Sequence, residues 1–399
     1  MSRSRAAPPW LASRFTGTLF GARYRNMNGV PGRICGEKLC REKYIPEVQS
    51  NACRLTSLNL LVLTRAMRAL IITRAGGPDV LEVREVEKPR PAPGEELVRV
   101  ESGGVNFADI LAARGGYPGM PEPPLVAGRE FSGTRVANGE RVMGYTQWGA
   151  FAEVVSARST LLWPLPRGWS AAEGAAFPVN FFTAYFAYWK AGLVGEPIPG
   201  AAGPGPRGGS PARPERARVL IHAVAGGVGT AAVEIGKLLG VEIYGTSSSD
   251  EKLARVQELG LEHAINYKRE DYEEAIRRLT GGEGVDAVFE MLGGEHVLKS
   301  VRCLRDFGRV ITYGAVTGRR ADLDPRVLYA KGASVHGLWL TALREKPALI
   351  ERAWQQLSRW AAQGDLRPVI GHVAPLERAG EAYQWLLEGK NLGKVVLKI

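Results

Sequence analysis

Residues 218–240 read RVLIHAVAGGVGTAAVEIGKLLG: strand-forming residues, then a turn rich in small residues, then a helical run. A strand that ends in small residues and opens a helix aims backbone N–H groups at whatever lies above the helix start, where the helix dipole favours an anion. Gly226, Gly227 and Gly229 let a pyrophosphate approach the backbone and let the helix pack closely on its sheet. Ala225, Gly226, Gly227, Val228 and Gly229 are therefore candidate cofactor-binding residues. Val224 stands where the usual fingerprint has its first glycine, so the pattern is A-x-x-G-x-x-G on Ala223, Gly226 and Gly229. The same residues would also make a tight turn with no ligand, and the surrounding chain has to favour one reading over the other.

It favours binding. Strand-like runs at 218–224, 241–245, 285–289 and 309–313 alternate with helical segments at 228–240, 250–260 and 270–280, the order of a parallel sheet wound with helices. In the helix after the turn, Val228, Ala231, Ala232, Ile235, Leu238 and Leu239 recur at helical spacing and predict one buried face. The next strand, VEIYGTSSSDEK at 241–252, carries no Asp or Glu at its end to bond adenosine ribose hydroxyls and repel a phosphate. Ser247, Ser248 and Lys252 would instead accept the extra phosphate of NADPH, while Ser249 caps the following helix.

Upstream, residues 67 to about 180 are short strands punctuated by Gly and Pro, which suits a small β-rich domain. Downstream come two helical stretches, 346–364 and 376–389, and a final strand, GKVVLKI. PIPGAAGPGPRGGSPARP at 197–214 has almost no apolar side chains and reads as an exposed loop.

The 399 residues, 45% hydrophobic, are enough for two domains with a sizeable core. Residues 1–66 hold 11 Lys+Arg against 3 Asp+Glu, so they carry +8 of the chain's net +11 and leave the body near neutral. A body of that charge does not call for nucleic acid or an anionic membrane. The leader fits a transit peptide, a disordered arm, or sequence upstream of the natural protein. MRALIITRAGGPDVLEVREV from Met67 reads as a fresh amino terminus and favours the last. Cys303 alone of the four cysteines lies in the body, which excludes a disulfide framework there and points to a reducing, cytoplasmic compartment. The apolar run Leu58 to Leu63 is too short to span a bilayer.

From Met67 to Ile399 the chain resembles the zinc-free quinone oxidoreductases of the medium-chain dehydrogenase/reductase superfamily, the group that includes zeta-crystallin. GVNFADIL (104–111), GYPGMPEPPLVAGREFSG (116–133), AAFPVNFFTAYFA (175–187), HAVAGGVG (222–229) and NLGKVVLKI (391–399) carry the resemblance. It implies an α/β fold: a GroES-like β-rich catalytic domain at 67–185 and 340–399, and a Rossmann doubly wound parallel-sheet domain at 186–339. NADPH would lie in the cleft between them, in a homodimer or homotetramer. Asn106, Arg129 and Val179 align with the catalytic zinc ligands of the alcohol dehydrogenase branch and are not a zinc-binding set.

The activity implied is metal-free hydride transfer from NADPH to a quinone or activated enone, with Asn106 and Tyr117 as catalytic candidates that orient the substrate carbonyl and donate hydrogen bonds to it. Each has a plain alternative, a turn-holding role for Asn106 and a surface aromatic for Tyr117. Asp109 is expected at a helix start rather than as a base. Thr183, Tyr267, Gly314, Ala315, Gly337, Leu338, Trp339 and Asn391 match cofactor-lining positions, and Trp148 with Trp339 is a candidate wall for a flat substrate slot. The segment GTRVANGERVMG (133–144) is shorter than the family's usual hairpin. Two alternatives stay open: reduction of enoyl thioesters or enones, and a cofactor-binding structural or RNA-binding protein of the zeta-crystallin type.

Overall fold

The computed structural model describes residues 66–194 and 216–399. The basic leader, apart from Ala66, and the Pro/Gly-rich segment 197–214 lie outside the described residues. The chain divides into two compact units, Met1–Leu55 and Thr56–Ile399. The first lies wholly outside the described residues, and every element named below belongs to the second.

The β-rich part opens with β1 (Ala66–Ile72), β2 (Leu81–Glu87) and β3 (Glu95–Val105), followed by α1 (Phe107–Ala113). Next come β4 (Leu125–Val126), β5 (Glu130–Arg135), β6 (Arg141–Tyr145), β7 (Val154–Arg158), β8 (Leu162–Pro164) and the short α2 (Ala171–Ala175). β2-β1-β4 form a small sheet; a larger one runs β15-β16-β3-β5-β6-β8 with β7 also on β3. Its last two strands come from the end of the chain, β15 (Ile370–Pro375) and β16 (Lys394–Lys398), on either side of α11 (Ala379–Leu387). Val98, Val100, Phe131, Phe151, Tyr383 and Leu397 fill the core between these layers.

α3 (Pro178–Ala191) leads from this part to the second sheet. Twelve of its 14 residues are buried, so its sequence reads as apolar on every side rather than amphipathic. The Tyr188 hydroxyl donates to the Ala232 carbonyl at 2.8 Å, and Gly236 leaves room for it, since a Cβ there would sit 2.2 Å from that oxygen.

The second sheet has β9 (Arg218–Ile221), β10 (Glu242–Ser247), β11 (His263–Asn266), β12 (Val285–Glu290), β13 (Leu304–Thr312) and β14 (Ser334–Gly337). The order is β11-β10-β9-β12-β13-β14 with every pair parallel. This is the doubly wound order whose switch point lies beside the first strand. The intervening helices are α4 (Gly227–Leu238), α5 (Asp250–Gln257), α6 (Tyr272–Leu279), α7 (Glu295–Cys303) and α8 (Pro325–Lys331). α9 (Leu340–Leu343) and α10 (Pro347–Gln363) follow β14. Alternation along β9 feeds both faces: Val219 and Ile221 pack with α3 and α4, whereas Leu220 packs with α6 and α7.

Several expected boundaries shift. β9 stops at Ile221 because the chain turns at Ala223, so the strand expected through 224 is shorter. α4 ends at Leu238, and Leu238, expected on the buried face, is exposed because the chain turns away at Gly240 (φ +67°). α5 ends at Gln257 rather than 260, and α6 starts only after its cap, Asp271.

Candidate active site

The glycine turn is built by a few backbone bonds. Gly226 N–H donates to Ala223 O at 2.8 Å, and Thr230 N–H donates to Gly226 O at 2.9 Å. Ala223 takes φ +48°, the left-handed region, and so does the work a glycine does in the usual fingerprint. Val224 turns its side chain into the core against Gly245, and its N–H donates to Thr246 O at 3.0 Å. Gly226 caps α4 with no side chain, so the N–H groups of Gly227, Val228 and Gly229 have no partner within the helix. At Gly229 a Cβ would lie 2.5 Å from the carbonyl oxygens of Ala223 and Val224.

These N–H groups border a cavity of about 560 Å³ that lies where the two sheets meet. Towards β10 and β11 its wall is Thr246, Ser247, Ser248, Lys252 and Tyr267. Ser249 accepts from Lys252 N–H at 3.3 Å as the cap of α5, and the Lys252 ammonium donates to the Gly389 carbonyl. No carboxylate stands at the end of β10; the nearby Asp250 accepts from Asn266 Nδ2 at 2.7 Å and pairs with Arg269. Beneath the turn His222 meets Thr246 Oγ1 at 3.0 Å and Ser300 Oγ at 3.2 Å. Burial pulls its pKa down to about 3, so the ring is neutral.

At the other end the cavity meets a buried polar cluster from four distant segments. Asn106 Nδ2 donates to Glu130 Oε1 at 2.8 Å and to Gly104 O at 3.2 Å. Lys394 Nζ donates to Asn106 Oδ1 at 2.6 Å, to Asn180 Oδ1 at 3.4 Å, and pairs with Glu130. Glu130 Oε2 accepts from Val179 N–H at 2.8 Å. The strand that carries Lys394 also holds the glycine turn, because Gly393 N–H donates to Ala225 O at 2.8 Å. Asn180 touches Gly227 directly: a Cβ on that glycine would lie 2.6 Å from Asn180 Nδ2.

Of the two roles expected of Asn106, these contacts bear on substrate hydrogen bonding. Both hydrogens of its amide are committed to protein oxygens, so donation to a substrate carbonyl would require breaking one of those bonds. Tyr117 is differently placed: its hydroxyl accepts from Trp339 Nε1 at 2.8 Å and keeps its own hydrogen to give. Asp109 lies in the first turn of α1, where it accepts the N–H of the cap residue Asn106 at 2.7 Å, and burial raises its pKa to about 6 against the opposing charge of Arg129.

Of the sequence-derived candidates, Asn106, the 225–229 turn, Ser247, Ser248, Lys252, Tyr267 and Asn391 line the cavity. Tyr117, Thr183, Gly314, Ala315, Gly337, Leu338 and Trp339 do not; Asn180, one turn before Thr183, takes its place, and Tyr313, Val316 and Thr317 flank the 314–315 pair. Thr183 and Leu338 are buried instead. Trp148 faces a separate open cavity of about 870 Å³ with Tyr145, Gln147 and Arg344, whereas Trp339 pairs with Tyr117, so the two tryptophans do not wall one slot. The sequence reading missed Glu130, Asn180 and Lys394, and gave Arg129 no role beyond its alignment with a zinc ligand. For Glu130 and Lys394 the available signal was a charged residue at the start of an apolar strand, as in REFSG and KVVL; Asn180, an amide within a helix, carried none. Among the described residues no helix is long and apolar enough to cross a membrane, and no cluster of His, Cys, Asp and Glu is arranged to hold a metal ion.

Comparison with known proteins gives the geometry its context. The alcohol dehydrogenase GroES-like domain family matches residues 92–167, and the zinc-binding dehydrogenase family matches residues 227–361. A synaptic vesicle membrane protein VAT-1 homolog from Danio rerio is 33% identical over 362 residues, 84% of this chain and 70% of its own. Quinone oxidoreductase-like protein 2 from Bos taurus is 31% identical over 347 residues, covering 84% of this chain and 93% of its own. The quinone oxidoreductase from Thermus thermophilus, solved also in complex with NADPH, superposes with a TM-score of 0.71 at 36% identity over 84% of this chain and 100% of that one. Two sheets in this order, joined at an uncapped glycine turn, and relatives of this extent place the chain in the zinc-free quinone oxidoreductase-like group of the medium-chain dehydrogenase/reductase superfamily.

Proposed function

We propose that the chain is an NADPH-dependent oxidoreductase that reduces quinones or activated enones. The observation that carries this reading is the cavity itself: a helix start with no side-chain cap, with hydroxyls and Lys252 beyond it and no carboxylate guarding the end of β10. The residues fit the cofactor. Gly227, Val228 and Gly229 would hold the pyrophosphate, Ser247, Ser248, Lys252 and Tyr267 the phosphorylated ribose, and Asn391 the approach along the last strand.

Bound there, NADPH supplies a hydride to the acceptor carbon. The chain's own residues bind, orient and exclude water; Tyr117 lies outside the cavity lining, and its hydroxyl, which accepts from Trp339 and keeps its own hydrogen, serves an acceptor that extends from the cavity towards that loop. The position of a zinc-ligating histidine is held by Arg129, which cannot deprotonate to ligate a metal. Orientation and hydrogen bonding then have to suffice, and a conjugated acceptor demands least of them.

The test is cofactor consumption with NADPH and with NADH against panels of quinones and enones. NADPH oxidation that depends on a conjugated acceptor supports the reading. Activity with NADH alone, or with simple alcohols only, rejects it.

A further inference from the structure

Arg129 sits at the bend just before β5, whose first residue is Glu130, and the two side chains have different partners. Glu130 joins the cluster at the cavity, and Arg129 turns towards the loop after α1. Only 2% of Arg129 is exposed, yet its Nε and Nη1 have no hydrogen-bond partner. Its ion-pair partner Asp109 faces Nε through Oδ1 at 3.5 Å, too far and too poorly aligned for a hydrogen bond, while Asp109 Oδ2 accepts the Asn106 N–H. A buried guanidinium left this poorly satisfied is costly, so what it does touch is informative.

It touches the Tyr117 loop twice. The guanidinium carbon lies 3.8 Å from the Tyr117 ring centroid, over the face of the ring, and Nη2 donates to Met120 Sδ at 3.2 Å. Residues 114–124 form no helix or strand, so backbone ladders do not fix Tyr117. Gln147 Nε2 supplies the other anchor of the loop, donating to Gly119 O at 2.8 Å. Trp339 Nε1 donates to the Tyr117 hydroxyl.

We infer that Arg129 is a positioning residue: a buried cation that holds the Tyr117 ring from beneath while Trp339 holds its hydroxyl, so that the remaining Tyr117 hydrogen is aimed at the acceptor oxygen. The inference rests on the proposed reductase reading for its catalytic consequence, though not for the structural one. The ring's negative face attracts the cation, and desolvation strengthens that attraction. Lysine would keep the charge but lose the flat stack and the fork that reaches Met120.

The experiment has two arms on the full chain. In the first, hydrogen exchange is followed in Arg129→Leu and Arg129→Lys. Amides of Gly115, Gly116, Tyr117, Gly119 and Met120 are expected to exchange at least about tenfold faster in R129L and by a smaller factor in R129K, with the 223–230 turn unchanged. Unchanged exchange at 115–121 in both variants overturns the inference, as does a uniform rise across the chain in R129K, the milder change. In the second arm, kcat/KM for the acceptor is measured for both Arg129 variants, for Tyr117→Phe and for the double variants. The Arg129 changes should cost about tenfold with Tyr117 present and less than about twofold in the Tyr117→Phe background, with KM for NADPH unmoved. Equal losses in both backgrounds mean that Arg129 does not act through Tyr117. A protein that turns over no acceptor rejects the reductase reading, and the exchange arm still decides the position of Tyr117.

Discussion

Ala223 occupies a backbone conformation that costs an L-residue roughly 1–2 kcal/mol, at the point where the strand becomes the glycine turn. Gly at this position relieves the strain but gains freedom in the unfolded chain, so Ala223→Gly is expected within about 1 kcal/mol of the parent, with cofactor affinity kept. A β-branched residue is a true outlier there. Ala223→Val should lower the melting temperature by several degrees, which thermal unfolding of the two variants would check. Gly229→Ala is a different case, because its Cβ would strike two backbone carbonyls that cannot rotate away. The expected result is loss of cofactor binding with lower stability, read by titration and melting together. The turn was legible in the sequence because its chemistry is local. The left-handed alanine was not, since nothing in HAVAGGVG says which small residue takes positive φ.

α4 carries an ionisable side chain that its amphipathic pattern hides. Glu234 lies on this helix with Oε2 accepting Arg367 N–H at 3.2 Å, and burial raises its pKa from 4.5 to about 8, opposed only in part by that hydrogen bond and then by Lys237. The folded protein therefore keeps a proton that the unfolded chain releases. That contribution to stability is complete below pH 4.5 and is lost as pH rises through 8. Glu234→Gln removes it, so the melting temperature of the variant minus that of the parent should grow between pH 5 and pH 8; a constant difference would contradict the account. At this scale the sequence was most informative. Alternating strands and helices predicted the parallel sheet, and the errors lay at ends such as Gly240 and Asp271, where a turn or a cap decides the boundary. Such ends depend on one residue's conformation, whereas periodicity sums over many.

The whole molecule brings together residues that the sequence keeps apart. Lys394 lies 288 positions from Asn106 and 264 from Glu130, and all three meet at one buried point beside the glycine turn. Lys394→Met leaves Glu130 as an uncompensated buried charge, a loss of roughly 3–5 kcal/mol and a fall in melting temperature of about 10 °C. The pair Glu130→Gln with Lys394→Met should recover much of that, and failure to recover would mean that the cluster acts through more than its charge balance. The resemblance located Asn106 and Tyr117, but the partners that decide their roles, Lys394, Glu130, Arg129 and Trp339, become visible only when β16, β5 and the end of β14 are folded against them.

The central claim is that this cavity is shaped for a phosphorylated nicotinamide cofactor, and the most direct test is equilibrium titration of the protein with NADPH and with NADH under identical conditions. The account predicts NADPH binding at least about tenfold tighter, the scale of one charge-assisted phosphate contact, with the margin lost in Lys252→Ala. Equal affinities, or tighter binding of NADH, would contradict it.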